Sequence, residues 1–438
     1  MPLPLSRLSV FVGAVLGVAI ACLVGGAARA DWPQWRGPTG TGVADAGGVP
    51  TRWSRGGGVA WRTPLPGPAG STPVVAGDRV FLTTADGNAL KLQAYATGDG
   101  ALTWERVVST GDRAVRGDEG NLASPSPVTD GSVVVALMGD GKMRCYRVDG
   151  SPVWGVDLQR RYGAFDIAFG YTSTPVLHEG KLYVQMIHGD GDPSTHEARV
   201  ACLDLATGNE VWSADRVTGA SRECEHAYTS PLVVKLGTGG RGAAAELITH
   251  GADFVVAYDL ADGSERWRLG GMNPPGNYHP TFRFVASPAA GDGVLIVPTA
   301  KRGPVYAVRP GGAGDVTGAG RVAWTLNRST PDVPTPLVHG GLVYLCGENG
   351  TLTTVDAVSG EVVYRKRVVA DRHRASPILA DGKLFMTSRR GLVNVVRAGR
   401  DYELLASNEM GEPISSTPVV AGGTIYLRTF DALYAVRD

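Results

Sequence analysis

Eight times in this chain a serine or threonine directly before a proline opens a unit of an apolar pair, a turn and a β-rich run. The steps are Ser71-Thr72-Pro73, Ser126-Pro127, Ser173-Thr174-Pro175, Ser230-Pro231, Ser287-Pro288, Thr335-Pro336, Ser376-Pro377 and Ser416-Thr417-Pro418. Successive prolines are 54, 48, 56, 57, 48, 41 and 41 residues apart. Units of about 40 to 60 residues that read as four short strands have the length of propeller blades. In the sixth unit Thr335–Val338, Leu342–Leu345, Leu352–Asp356 and Glu361–Tyr364 read as the strands. Gly340-Gly341, Glu348-Asn349-Gly350 and Ser359-Gly360 supply the turns, and glycine turns between β-branched runs are hairpin signals. No stretch beyond the first thirty residues keeps a helical period.

The repeated residues have physical roles. Proline lacks an N–H and survives at strand starts and edges, which places it on the innermost strand facing the channel. A large ring closes most units: Trp104, Trp154, Trp212, Trp267, Trp324 and Tyr364. Such rings bury large areas, and packing between blades is the expected role. The eighth unit ends at Asp438 after a third strand, Ala432–Val436. Its fourth strand is found at the other end of the chain, where Val59-Ala60-Trp61 repeats Val322-Ala323-Trp324. The expected fold is therefore all-β: an eight-bladed β-propeller of four-stranded blades, the last blade closed by the N-terminal strand, which removes open sheet edges.

The first thirty residues read as an address. Arg7 precedes an apolar run from Leu8 to Ile20, and Ala28-Arg29-Ala30 forms a small-x-small cleavage pattern. A secretory signal peptide cleaved after Ala30 is expected, with lipidation at Cys22 as an alternative. The chain then divides into 1–30 signal peptide, 31–58 lead segment and 59–438 propeller. An exported, periplasmic or envelope-associated protein follows, not an integral membrane one. The chain has 42 basic and 42 acidic residues, so no basic surface for nucleic acid is expected. Cys145 and Cys202 fall where other units have alanine or another small residue, so they read as buried packing positions; whether they pair is open.

Function rides on loops over a rigid scaffold. The long connections between blades hold Arg116 and Asn121, then Tyr171, then His226 and Tyr228, then His279 and Arg283, and finally His373 and Arg374. Arginine among tyrosine, phenylalanine and histidine at a channel mouth has the composition of an interface hot spot. These nine residues are the candidate binding positions, with no catalytic residue assigned. Two constellations could draw a cation: His188, Asp190 and Asp192 with His196 and Glu197, and Glu223, Glu225 and His226. The EF-hand pattern is not met and Gly/Asp-rich hairpin tips are ordinary turn chemistry, so no metal is expected at either.

The Ser-x-Pro steps, third strands such as Val256-Ala257-Tyr258-Asp259, and closings such as Thr207-Gly208-Asn209-Glu210-Val211-Trp212 carry a resemblance. So does the opening Trp32-Pro33-Gln34-Trp35-Arg36-Gly37-Pro38. Over residues 31–438 the chain resembles the bacterial pyrroloquinoline-quinone-like (PQQ-like) repeat propellers and is similar to BamB, the propeller of outer-membrane protein assembly. That resemblance implies one of two roles: a non-catalytic scaffold or a quinoprotein alcohol dehydrogenase. The enzymes carry a disulfide between adjacent cysteines over the cofactor, together with calcium ligands. Here Cys202 and Cys224, the closest pair, are 22 residues apart. No cofactor is expected, neither PQQ nor calcium. The expectation is a monomeric scaffold that binds a protein or cell-envelope ligand on its polar loop face. The alternatives are a PQQ-dependent dehydrogenase and a carbohydrate-binding propeller, in which Tyr171 and Tyr278 would stack sugars.

Overall fold

The computed structural model describes Met1 and residues 32–44, 47–54, 56–111, 120–237, 244–300, 303–328 and 330–438. The expected signal peptide, Cys22 and Arg116 lie outside the described residues. Eight sheets, each of at least four strands, form in chain order as the repeats require. The first blade runs Val74–Ala76, Arg79–Asp86, Ala89–Ala96 and Leu102–Thr110. Each inner strand begins directly or one residue after the repeat proline. In the last blade Val59–Pro64 pairs antiparallel with Ala432–Val436, the expected closure. Leu158–Tyr162 forms one five-residue helix, capped by Asp157 accepting from the Arg160 N–H; it is too short to show a period in sequence.

The pre-proline residues form a belt. Each backbone N–H donates to the hydroxyl of its counterpart in the next blade. The chain of bonds runs Thr72 to Ser126 (2.9 Å), Ser126 to Thr174 (3.0 Å), Thr174 to Ser230 (2.9 Å) and Ser230 to Ser287 (2.8 Å). It continues Ser287 to Thr335 (3.1 Å), Thr335 to Ser376 (3.0 Å), Ser376 to Thr417 (3.3 Å) and back from Thr417 to Thr72 (3.3 Å). All eight residues are buried. An amide buried at the channel edge with no partner is costly, and a hydroxyl one blade along is what satisfies it.

The outer strands are joined by tryptophan. The indole N–H groups of Trp61, Trp104, Trp154, Trp212 and Trp324 donate to Thr97, Val148, Leu205, Leu260 and Ala357 carbonyls on the following blade. A turn glycine of that blade lies on each ring. A Cβ on Gly100 would come within 2.5 Å of Trp61, and one on Gly263 within 2.4 Å of Trp212. Both glycines also have positive φ, so the Thr-Gly-x-x-x-Trp pattern is a joint between neighbours. Within each blade the ring sits opposite a small third-strand residue: Ala94 under Trp104, Cys145 under Trp154, Cys202 under Trp212, Ala435 under Trp61. All four described cysteines are buried and free. Trp267 departs from the pattern and donates to Glu246 of its own blade.

The lead segment crosses one end of the channel. Trp32 and Val75 exchange both backbone bonds, Thr129 N–H donates to Pro33 O (2.8 Å), and Leu379 N–H donates to Gly42 O (2.8 Å). Leu177 N–H donates to Gln34 Oε1 (2.8 Å). Val43–Ala44 then pairs in parallel with Leu379 and Ala380. Arg36 is fully buried and its guanidinium donates to the Pro336, Pro377 and Thr41 carbonyls. Burial lowers its pKa to about 9. Gly42 must be glycine, since a Cβ there would come within 2.7 Å of Arg36 Nη2. The tryptophan-rich opening is thus a structural plug fastened to blades one, two, three, six and seven.

Substitutions at two positions test these joints. Ser287→Ala leaves the Ser230 amide without its acceptor and should cost about 1–3 kcal/mol, whereas Ser287→Thr should restore it. Equal urea midpoints for the two variants would remove the belt from the stability argument. Trp61→Ala should cost about 3–5 kcal/mol, as for a core tryptophan, because it opens the seam between the last blade and the first. A loss below about 0.5 kcal/mol, the size of an ordinary surface change, would show that the seam does not depend on this ring.

Candidate functional site

At the end of the channel opposite the plug lies a cup of about 430 Å³, centred on the propeller axis. The eight belt residues form its lowest tier. Side chains alternate along each entering segment, so the residues two positions earlier form a second tier: Gly70, Ser124, Thr172, Tyr228, Val285, Val333, Arg374 and Ser415. Arg283 and Arg372, two positions earlier again, also line the cup. The lower tier is uniform and builds the ring; the upper tiers vary and give the cup its chemistry. The half-buried Trp35, carried by the plug, also lines the cup, with Arg36 Cζ 5.9 Å from its ring centroid.

One side of the wall is aromatic and cationic. Arg283 Cζ lies 4.7 Å from the Phe169 ring centroid, within cation–π range. Its guanidinium also donates to Glu223 at 3.0 Å. Phe169 packs on Tyr228 with centroids 6.2 Å apart, and its N–H donates to the Tyr228 hydroxyl. Across the cup, Glu348 holds Arg374 at 2.6 Å and Arg372 at 3.8 Å. Asp332 lies between the two sides.

The structure sorts the expected positions. Tyr228, Arg283 and Arg374 line the cup. His373 does not: it is buried behind the wall, because alternation turns it inward while Arg372 and Arg374 face the channel. Its N–H donates to Glu348 O and its Nδ1 lies 3.0 Å from Asp371 O, so it positions the arginine pair. Tyr171 is a core residue, buried, stacked on Phe165 and donating to Gln185 O; it cannot stack a sugar. Tyr278 is half-buried, with its hydroxyl on Asp253 Oδ2 at 3.0 Å. Asn121 shapes its own loop, accepting from the Ala123 N–H and donating to Pro68 O. His226 is buried with Nε2 against Gly189 O, and His279 is exposed and stacked on Phe282. The residues missed in sequence are Trp35, Phe169, Glu348, Arg372 and the second-tier serines and threonine. Counting back from each proline by one, three and five would have found most of them.

Of the two constellations considered for a metal, His188 is buried with Nδ1 3.9 Å from Glu197 Oε2. Glu225 accepts from the Gly191 N–H, and Asp190 and Asp192 cap their own turn. Among the described residues no three His, Cys, Asp or Glu side chains converge as a cation shell.

Burial holds His373 below the ordinary histidine range. The neutral form is favoured in the fold, so as pH falls below about 6.5 the unfolded chain takes up the proton first and stability is lost. His373→Gln should therefore lose less melting temperature than the parent between pH 7 and pH 5, an acid window set by the ordinary histidine pKa of about 6.5. Parallel losses would take His373 out of the acid response.

The sequence profile of a family described as outer membrane protein assembly factor BamB matches residues 42–235, 149–323 and 251–438. BamB of Yersinia pestis is 29% identical over 161 residues, 36% of this chain and 36% of that protein, so the aligned part spans about a third of the relative. The fold of BamB from Moraxella catarrhalis superposes with a TM-score of 0.58 at 14% identity, covering 86% of this chain and 96% of that one. A europium-containing methanol dehydrogenase superposes with a TM-score of 0.66 at 13% identity, covering 92% and 90%. Quinohemoprotein alcohol dehydrogenase from Comamonas testosteroni gives 0.63 at 14% identity, covering 93% and 80%. At such identities the structural likenesses establish the fold alone. No helix among the described residues is long and apolar enough to cross a membrane. With the repeat-family profile matching from residue 42 to residue 438, this chain belongs to the BamB-type family of PQQ-like repeat propellers.

Proposed function

We propose that this propeller is a non-catalytic capture module of the cell envelope, which holds a carboxylate-bearing protein or envelope ligand at the axial cup. The observation that carries this reading is the wall itself. Arg283 stands over the Phe169 face, and Arg283, Arg372 and Arg374 are each paired to a carboxylate that a partner's carboxylate can replace. Partly exposed ion pairs contribute about 0–1 kcal/mol, so exchanging them costs little. Complementary charge then steers the encounter while Phe169, Tyr228 and Trp35 offer apolar contact. The Leu8–Ile20 run and the Ala28-Arg29-Ala30 pattern support export, as does kinship with proteins named for outer-membrane assembly.

Two features favour capture over quinone chemistry. Of the two cup carboxylates, Glu348 is already shared by two arginines, and it forms no acidic cluster with Asp332 among the described residues. The four described cysteines are buried in separate core clusters, so none of them can clamp a planar cofactor over the axis.

The test replaces Arg283, Arg372 and Arg374 together by glutamine in the mature chain used as bait on envelope extracts. Capture should be lost at unchanged melting temperature; retained capture would move the site elsewhere. Calorimetric titration with PQQ and calcium, with dye-linked alcohol oxidation beside it, tests the other reading. Stoichiometric binding with turnover would overturn the scaffold role.

A further inference from the structure

The plug shows how this propeller binds an extended chain. In every blade the residue two after the repeat proline turns its N–H and C=O toward the channel, away from its own hairpin. Blades one, two, three and seven use that amide to hold the lead segment, through Val75, Thr129, Leu177 and Leu379. The matching residues in blades four and five are Val233 and Ala290. Val233 lies opposite Leu247 in register, and the neighbouring bond from Leu236 N–H to Ala244 O fixes the parity that turns the Val233 amide outward. Ala290 lies one residue outside the Gly291–Val294 pair that closes a two-residue turn, which turns its amide outward in the same way. Among the described residues neither amide has a protein acceptor, and both residues are half-exposed.

These two edges open into one groove of about 790 Å³ beside the plug, on the face away from the cup. Leu177, Val233, Leu236 and Ala290 give it an apolar floor; Lys235, Arg309 and Arg321 line it with Asp292, whose carboxylate accepts from the Gly341 N–H. Neither arginine has a carboxylate partner among the described residues. We infer that this groove is a second binding site, where an extended segment of a partner protein adds as a strand to the inner edges of blades four and five. The occupant has apolar side chains at alternate positions and carboxylates facing Arg309 and Arg321. Main-chain bonds supply affinity and the alternate pockets supply specificity, as in other strand additions. The site repeats, on other blades, the inner-edge pairing that Val43–Ala44 makes on blade seven, and its positive rim selects an acidic segment.

The probe is a fluorescent eight-residue peptide of alternating threonine and valine ending in two aspartates. It should bind saturably and slow hydrogen exchange in the segments holding Val233 and Ala290. Val233→Pro removes an outward amide without taking a ladder bond, since proline is tolerated on a strand edge. It should weaken binding about tenfold, the worth of one well-formed main-chain bond. Arg309→Glu combined with Arg321→Glu should abolish binding while the melting temperature holds. The same peptide methylated on alternate backbone nitrogens should not bind. Binding that survives methylation, or both sets of substitutions, would overturn strand addition, as would unprotected amides or a complete absence of saturation. Peptide loss caused by self-association of the protein would assign the groove to a second copy and overturn it too. Glutamine at the three cup arginines should leave peptide binding intact, so failure here is distinct from failure of the cup.

Discussion

The belt of pre-proline hydroxyls fixes everything else in this molecule. Around the axis eight chain segments converge, and each brings a buried residue whose amide is not paired within its own hairpin. A serine or threonine oxygen from the next blade accepts that proton, and the final bond, from Thr417 to Thr72, closes the circuit. Every blade is thereby held at one radius and one tilt. Proline directly after the hydroxyl residue keeps the entering segment extended, because an α conformation before proline clashes. The cup, the plug and the groove are consequences of that radius.

Closure uses the same parts at the seam as elsewhere. Trp61, about 370 residues before the strand it joins, makes the indole bond and the glycine contact that the outer tryptophans make between consecutive blades. On the inner side the seam carries an extra element. Buried Arg428 donates to Ser71 and to Thr83 O, tying the last blade to the first where the chain is not continuous. Burial lowers its pKa to about 9, and its bonds to carbonyl and hydroxyl oxygens offset part of that desolvation.

The two faces then divide the work. The plug crosses one end, and the cup opens at the other, where the tiers above the belt vary from glycine to arginine. The blades set a rigid frame, and diversity is confined to positions whose side chains touch neither the belt nor a tryptophan joint. On the plugged face the lead segment occupies only part of the available inner edge, which leaves the edges of blades four and five beside an apolar floor.

Much of this was legible in the sequence. Repeats announce blade number, and the Val-Ala-Trp match between residues 59–61 and 322–324 locates the closing strand, since both are local patterns with fixed periods. Of the eight candidate positions among the described residues, three, Tyr228, Arg283 and Arg374, lie on the cup. Loop composition selected the others because it cannot tell which side of an extended segment faces the axis. His373 and Arg374 are neighbours in sequence yet point to opposite sides, and Tyr171 sits in a connection but is packed inside. The role of Trp35 and Arg36 was out of reach, because nothing local says that an N-terminal segment crosses the channel. The sequence alone determined fold class, blade count, the closing strand and the small residues under each ring, because hydrophobic period and turn chemistry act over a few residues. Only the tertiary structure decided which end is plugged, which arginines meet which carboxylates and which edges stay open, because those depend on eight distant segments brought to one axis.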